Sequence, residues 1–265
     1  MHPAPYPTLF IPHGGGPCFF MDWDPPDTWK QMENWLRSLS GTLGTKPDAI
    51  VIVSGHWECP EFTVNVNPAP TLLFDYSGFP PHTYQLTYPA PGSPGLAARV
   101  QELLDRAGIA SDTESKRGYD HGVFVPLKIV YPEATVPIVQ LSLKRGLDPA
   151  VHLQVGRALA PLRLENVLIL GSGMSYHNMR GFGPAFHKAS KDFDVWLTDT
   201  MTNFPGEREA RLLDWQRAPA ARIAHPHPDH LLPLMVVAGA AGASHGKCIF
   251  TDTVMDVVVS GYRFG

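Results

Sequence analysis

The chain has 265 residues, of which 44% are hydrophobic and 17% charged, and a formal net charge of −4. This length and apolar content fit one globular domain with a sizeable core, which we expect to span residues 1–265. The slight negative charge and the scattered Lys and Arg residues argue against nucleic-acid and membrane-surface partners. No apolar run is long enough to span a bilayer.

The N-terminal residues and the cysteines predict a cytoplasmic protein. The stretch "MHPAPYPTLF" has neither a basic segment nor a long apolar segment, so we expect no signal peptide. Cys18, Cys59 and Cys248 lie far apart and form no CxxC motif. An odd and sparse set of this kind is typical of reduced thiols in the cytoplasm.

The predicted elements alternate between strands and helices. "DAIVIVSGH" (residues 48–56) is largely apolar, as are strands covered on both faces, whereas Ser93, Pro94 and Gly108 mark the two ends of a helix. In chain order we predict strand 8–14, helix 28–39, strand 48–56, strand 62–67, helix 93–107, strand 136–143, helix 150–162, strand 166–173, helix 185–203, helix 207–217, helix 230–241 and strand 254–260. This order predicts an α/β fold, a layered αβα domain around a mostly parallel or mixed central sheet.

Three of the predicted strands lead into a histidine that follows glycine or stands beside it. His13 lies at the end of strand 8–14, His56 ends strand 48–56, and His177 comes four residues after the "GSG" that closes strand 166–173. Ligands of open α/β sheets bind beyond the carboxyl ends of the strands, and neutral imidazole is the commonest nitrogen ligand of zinc, iron and copper. The repeated pattern therefore predicts a metal site at this edge, with His13 and His56 among the ligands.

Several other histidines compete for the third position. The segment "AHPHPDH" (residues 224–230) contains His225, His227, Asp229 and His230, and spacing alone leaves open which of them binds the metal. His121, in "GYDHG", is better suited to a hydrogen-bonding or substrate-facing role. We expect surface or structural positions for the remaining five, His2, His82, His152, His187 and His245.

The sequence also contains parts of other catalytic motifs, but the flanking elements that those motifs require are missing. "HGGG" (residues 13–16) is typical of an esterase oxyanion loop, but the formal elbow "GASHG" (residues 242–246) follows a predicted helix where a strand is required, and no histidine comes after it. "HWE" (residues 56–58) matches half of a zinc-deaminase signature, and no PCxxC follows it. The chain also has no HExxH, P-loop or Rossmann motif.

Seven motifs, in order along nearly the whole chain, resemble the DOPA 4,5-dioxygenase branch of the class III extradiol dioxygenases. These motifs are "FIPHGGGP", "VIVSGHW", "PAPGSPGLA", "GYDHGVFVPL", "VPIVQLSL", "LILGSGMSYHNM" and "HPHPDHLLPLMVVAGAAG". The resemblance implies a mononuclear metal site in which His13 and His56 match two ligands and His230 matches the third. The wider class usually has a carboxylate at the third position, and Asp229 adjoins it here.

The resemblance also implies roles around the metal. His177 matches the active-site histidine that acts as acid/base in the wider class and that can count as a metal ligand in DOPA-type members. His121 matches a substrate-contacting histidine, so His121 and His177 are expected both to act in catalysis and to bind substrate. From position alone we add Tyr262 as a substrate-binding residue, and we expect Tyr119, Tyr176 and residues 80–82 nearby.

The implied reaction is the opening of a catechol ring by O₂, with a DOPA-like compound or a related dihydroxy aromatic as substrate. Activity requires Fe²⁺ because zinc has no redox chemistry, although Zn²⁺ binds histidine sites more tightly and is a possible bound ion. Two alternatives stay open. One is a metal-binding or interaction protein of the same fold without turnover, and the other is a zinc-dependent hydrolase that needs no O₂.

Overall fold

The computed structural model describes residues 4–265, so the expectation for His2 lies outside the described residues. Its framework is one eight-stranded sheet. The strands, in chain order, are β1 (Thr8–Pro12), β2 (Ala49–Cys59), β3 (Phe62–Asn65), β4 (Ser111–Glu114), β5 (Ile138–Lys144), β6 (Val167–Gly173), β7 (Gly246–Val254) and β8 (Val257–Phe264). Across the sheet they run in the order β4-β3-β5-β2-β6-β1-β8-β7.

The four central strands, β5, β2, β6 and β1, are mutually parallel. Their aliphatic side chains are almost completely buried, as expected for strands covered by helices on both faces. The outer strands add antiparallel pairs, β3 with β5 and β8 with β1 and β7. The sheet is therefore mixed, and the carboxyl ends of the central strands meet at one edge.

Helices cover both faces of this sheet. They are α1 (Lys30–Leu39), α2 (Pro94–Arg106), α3 (His121–Val130), α4 (Pro149–Leu159), α5 (Pro184–Thr202), α6 (Pro205–Leu213), α7 (Ala221–Ala224) and α8 (Leu232–Ala241). A Cβ on Gly171 of β6 would lie 2.6 Å from the Pro233 carbonyl oxygen of α8, whereas the next residue, Ser172, bonds Gly122 of α3. Successive strand residues point to opposite faces, so α3 and α8 lie on opposite sides and the predicted αβα layering is confirmed.

The predicted final strand, residues 254–260, is wrong in its extent. The structure has two antiparallel strands here, β7 and β8, joined at Met255 and Asp256. Both turn residues have positive φ, 48° and 67°, as a two-residue hairpin of type I′ requires. The usual Asn-Gly or Asp-Gly signal is missing, which is why the turn was read as part of one strand.

Three elements were not predicted from the sequence: α3, β4 and the four-residue helix α7. The helix α3 is buried along nearly its whole length, so it lacks the polar face that gives a helical period. The strand β4 is short and polar at the sheet edge, next to β3. Within residues 4–265 no helix is both long and apolar enough to cross a bilayer.

Candidate metal centre

Three imidazoles converge at the carboxyl edge of the central strands. His13 directly follows β1, His56 lies in β2, and His230 lies two residues before α8. The Nε2 atom of His56 is 3.1 Å from Nε2 of His13 and 3.1 Å from Nε2 of His230. His13 and His230 are only 1% and 2% exposed, whereas the side chain of His56 is 19% exposed, so the shared centre is largely buried but still reached by solvent.

A bulge in β2 directs His56 toward this centre. The pairing of β2 with β5 shifts register between Val53 and Glu58, and such bulges commonly re-aim side chains beside active sites. Side chains hold the backbone of His56 where the ladder is interrupted. Its N–H donates to Ser54 Oγ at 3.2 Å, and its carbonyl accepts from Arg117 at 3.1 Å.

A buried carboxylate fixes the two residues that hold His56. Asp120 is fully buried and accepts hydrogen bonds from Ser54 Oγ at 2.8 Å and from Arg117 at 3.1 Å. The amide of Gln140 donates to its second oxygen as well. This network replaces the lost ladder bonds and keeps the bulge rigid, since buried polar groups that are satisfied define one conformation.

The tautomer of His13 follows from its outer partner. Ser172 Oγ contacts both the Gly122 carbonyl oxygen and, at 3.0 Å, Nδ1 of His13. Because a carbonyl can only accept, the single hydroxyl proton of Ser172 goes to Gly122, and the hydroxyl oxygen accepts a proton from His13 Nδ1. Nε2 of His13 then carries a free lone pair that faces the centre.

For His56 and His230, a carboxylate near Nδ1 favours the tautomer that carries its proton on Nδ1. Nδ1 of His56 lies 3.7 Å from Asp75 Oδ2. Nδ1 of His230 lies 3.0 Å from Asp229 Oδ1, although its direction falls short of a hydrogen bond. A carboxylate beside one ring nitrogen favours a proton there and leaves the other nitrogen unprotonated. Each of the three rings then has its lone pair on Nε2, the atom through which His56 lies 3.1 Å from His13 and from His230.

The donor set fits a divalent metal. Three lone pairs at such short separations repel one another unless a cation lies between them, and two nitrogens bound at about 2.1 Å and at right angles stand about 3 Å apart. Burial, reinforced by the neighbouring histidines, lowers the pKa of His13 and of His230 well below its usual value. Burial likewise lowers the pKa of His56 to about 3, so all three rings are neutral and able to bind a metal.

His121 flanks the centre on the side of His56. It is the first residue of α3, and its ring centroid is 3.9 Å from that of His56. Its Nδ1 and its backbone N–H both contact Asp75 Oδ1, at 2.8 and 2.9 Å. Burial alone would raise the pKa of the Asp75 carboxyl, but the hydrogen bonds from His121 outweigh this effect and lower it.

His177 flanks the centre on the side of His230. The two rings stack with centroids 3.4 Å apart and planes 16° from parallel. Nδ1 of His177 is 3.7 Å from Asp229 Oδ1. Burial lowers the pKa of His177, and the negative charge of Asp229 opposes this shift, so the ring is mainly neutral at pH 7. Among the described residues, possible ligand atoms fall into two groups, His13 with His56 and His121, and His177 with Asp229 and His230.

The structure sets aside the other candidates in residues 224–230. His225 is fully buried away from the three Nε2 atoms, and its Nε2 bonds the Ser175 carbonyl oxygen at 2.9 Å. The side chain of His227 is 64% exposed and pairs with Asp229 at 3.4 Å.

Of the histidines expected to be structural or superficial, His152 is buried against Asp148, whereas His82, His187 and His245 are exposed.

The expectation for Tyr262 requires correction. Its side chain is fully buried within the core, and its hydroxyl lies 3.0 Å from Thr198 Oγ1 on α5. In the sheet it pairs with Phe10, three residues before His13. Tyr119 and Tyr176 are likewise buried, with their hydroxyls bonded to backbone carbonyls. These rings pack the core below the site and offer no hydroxyl to a substrate.

Two outer residues of the site were missed from the sequence. Asp75 lies in "LFDYSGF", a loop segment with no metal-binding spacing, and Ser172 stood only as part of the "GSG" after residue 170. Both act through contacts with residues distant in the chain, 46 positions for Asp75 and His121 and 159 positions for Ser172 and His13. The sequence offered one indication of a role for Ser172. It lies two residues after Leu170, the last apolar residue of β6, which ends at the site.

The fold and the site together are those of an α/β protein with histidines that could hold a metal ion at the carboxyl edge of its sheet. Residues 7–260 match the family model described as the catalytic LigB subunit of aromatic ring-opening dioxygenase. The chain belongs to this family.

Individual relatives agree with this assignment. The chain is 42% identical over 239 residues to a 4,5-DOPA dioxygenase extradiol of Beta vulgaris, covering 89% of this chain and 87% of the relative. It is 35% identical to the dioxygenase tasH of Hapsidospora irregularis, over 98% and 85% of the two chains. The crystal structure of an uncharacterized protein from Escherichia coli K12 has a TM-score of 0.77 and 28% identity, over 98% of this chain and all of that one.

Proposed function

We propose that this protein is an extradiol dioxygenase that opens the ring of a catechol with O₂ at an Fe²⁺ ion held by His13, His56 and His230. The observation that carries this proposal is the convergence of the three Nε2 atoms, with His56 3.1 Å from each of the other two. Three protein ligands leave room on a metal for exogenous ligands. A ring-opening reaction needs such room for the diol and for O₂.

Bound Fe²⁺ would lower the pKa values of the catechol hydroxyls and link the ring electronically to O₂. The protein then has two protons to handle, one from each hydroxyl. In the neutral ring of His121, Asp75 holds the proton on Nδ1 at 2.8 Å and Nε2 is free to accept one, so His121 accepts or orients the proton of the hydroxyl nearest to it.

His177 takes the second proton-transfer role. It is stacked on His230, whereas His121 lies beside His56, and its lowered pKa keeps the ring unprotonated and able to accept a proton near neutral pH. The stacked arrangement places the ring over the face of a ligand, which supports an acid/base role over a fourth ligand role. The Asp229 carboxylate at 3.7 Å would stabilise the imidazolium formed when His177 is protonated.

The substrate is a catechol with a polar side chain, and L-DOPA is the first candidate. Relatives named 4,5-DOPA dioxygenase extradiol occur in Beta vulgaris and Portulaca grandiflora, each 42% identical to this chain. Neither alternative from the sequence, a non-catalytic metal protein or a zinc hydrolase, gains support from the family match. A reducing, cytoplasmic location is part of the proposal and rests on three free cysteines.

Oxygen uptake tests the proposal directly. Protein loaded anaerobically with Fe²⁺ is mixed with L-DOPA and with a panel of other catechols, and O₂ consumption and product absorbance are recorded after air is admitted. We expect one O₂ consumed per catechol and a yellow ring-opened product. His187→Ala, a change at an exposed histidine, should leave the rate unchanged, whereas His13→Ala should abolish it. Iron-loaded protein that consumes no O₂ with any catechol would refute the proposal.

A further inference from the structure

We propose that Asp75 is a positioning residue that sets the tautomers of His121 and His56 together. This inference rests on the proposed function, in which His121 handles a substrate proton and His56 binds the metal. One oxygen of Asp75 accepts from the backbone N–H and from Nδ1 of His121, at 2.9 and 2.8 Å. The other oxygen faces Nδ1 of His56 at 3.7 Å. The carboxylate of Asp75 thus contacts both His121, the proposed acid/base residue, and His56, a proposed metal ligand.

The contact with His121 determines which nitrogen carries the proton. An ionised carboxylate can only accept hydrogen bonds, so the short contact at 2.8 Å requires a proton on Nδ1. The opposite tautomer would direct a nitrogen lone pair at a negatively charged oxygen. In the neutral ring of His121, Nε2 is then the nitrogen without a proton and can accept one from a hydroxyl.

The fold holds Asp75 in place from two directions. His121 begins α3, and a carboxylate at the first N–H of a helix is favoured by the positive end of the helix dipole. On the other side, the N–H of Leu73 donates to the Tyr119 carbonyl at 2.8 Å, and the N–H of Tyr119 donates to Thr71 at 2.8 Å. The segment that carries Asp75 is therefore bonded to the residues that lead into His121.

An amide at this position, as in Asp75→Asn, cannot do what the carboxylate does. If the amide oxygen faced His121, the NH₂ group would face Nδ1 of His56 and favour a proton on the nitrogen that binds metal. If the amide were flipped, its NH₂ group would oppose the N–H and the Nδ1 proton of His121. Either orientation of the isosteric side chain disturbs one of the two tautomers.

The first measurement uses the unaltered protein. Long-range ¹H–¹⁵N spectra of ¹⁵N-histidine-labelled, Zn²⁺-loaded protein report the protonated nitrogen of each ring, and the His121 signals are those missing from His121→Gln. We expect a proton on Nδ1 of His121. A proton on Nε2 of His121 would overturn the proposal. Since zinc-loaded protein needs no turnover, this test stays separate from the outcome of the oxygen-uptake experiment.

The second measurement compares Asp75→Asn with Asp105→Asn, the same change at an exposed position on α2. We expect Asp75→Asn to lower Zn²⁺ affinity or, with iron, kcat by about 10- to 100-fold, with KM nearly unchanged and altered His121 signals. Asp105→Asn should match the parent protein. Unchanged affinity, kcat and His121 signals in folded Asp75→Asn would refute the proposal, as would an equal loss in Asp105→Asn.

Discussion

Ser172→Ala tests how much the hydrogen bond between Ser172 and His13 contributes to the affinity of the site for a metal. Ser172 Oγ accepts the Nδ1 proton of His13 at 3.0 Å and donates to the Gly122 carbonyl. Without the hydroxyl, His13 loses the contact that keeps Nε2 unprotonated. Removal of such an outer partner typically costs 10- to 100-fold in metal affinity, which corresponds to about 1.4–2.7 kcal/mol at about 1.36 kcal/mol per tenfold change.

The same substitution also leaves two buried polar groups unpaired, each at a cost of about 1–3 kcal/mol in the free energy of unfolding. Ser142→Ala is the matched control. Ser142 is equally buried, lies on β5 and accepts from the Thr63 N–H at 2.8 Å, so its loss destabilises the fold without contact with a ligand.

Competition titration with Zn²⁺ and a chromophoric chelator measures the affinity, and urea unfolding of the metal-free protein measures the stability. We expect both variants to be destabilised and only Ser172→Ala to bind Zn²⁺ more weakly. Wild-type affinity in Ser172→Ala, or an equal loss of affinity in Ser142→Ala, would refute the tautomer argument for His13.

Three further predictions concern other histidines and the corrected tyrosine. His177→Ala should leave metal stoichiometry unchanged and lower kcat by about 10²- to 10⁴-fold; loss of the metal would instead make His177 a ligand. Burial lowers the pKa of His152 to about 4 and of His225 to about 3, so the unfolded chain takes up their protons first. The free energy of unfolding of metal-free protein should therefore decline below about pH 6.5, by up to about 1.4 kcal/mol per pH unit per histidine, and a flat profile from pH 7 to 5 would contradict this. Tyr262→Phe removes the hydroxyl that contacts the side chains of Thr198 and Ser260 and should leave KM unchanged in oxygen-uptake assays, while a raised KM would return Tyr262 to the substrate site.

Local patterns predicted much of the fold and part of the site. The buried strands that lead to His13 and His56 are legible because continuous apolar runs and adjacent glycines lie next to the histidines in the chain. The third ligand was not legible from spacing, because His225, His227 and His230 share one short segment. Only the packing shows that His225 turns into the core and bonds Ser175, while His230 faces the centre.

Other features depend on contacts that no local pattern encodes. Asp75 reaches His121 across 46 positions, and nothing in its own segment marks it as functional. Tyr262 was expected at the substrate from its position alone, but α5 packs over β8 and the ring is fully buried. The β7–β8 hairpin was missed because Met255 and Asp256 adopt positive φ without glycine.

The most direct test of the central claim is the position of the metal. An anomalous difference map from an anaerobic crystal of the Fe²⁺-loaded protein locates the ion independently of any assumption about its ligands. We predict one peak within about 2.0–2.2 Å of Nε2 of His13, His56 and His230, with the remaining coordination positions filled by water or catechol. A peak held by His177 and Asp229, or an ion saturated by protein groups alone, would contradict the account.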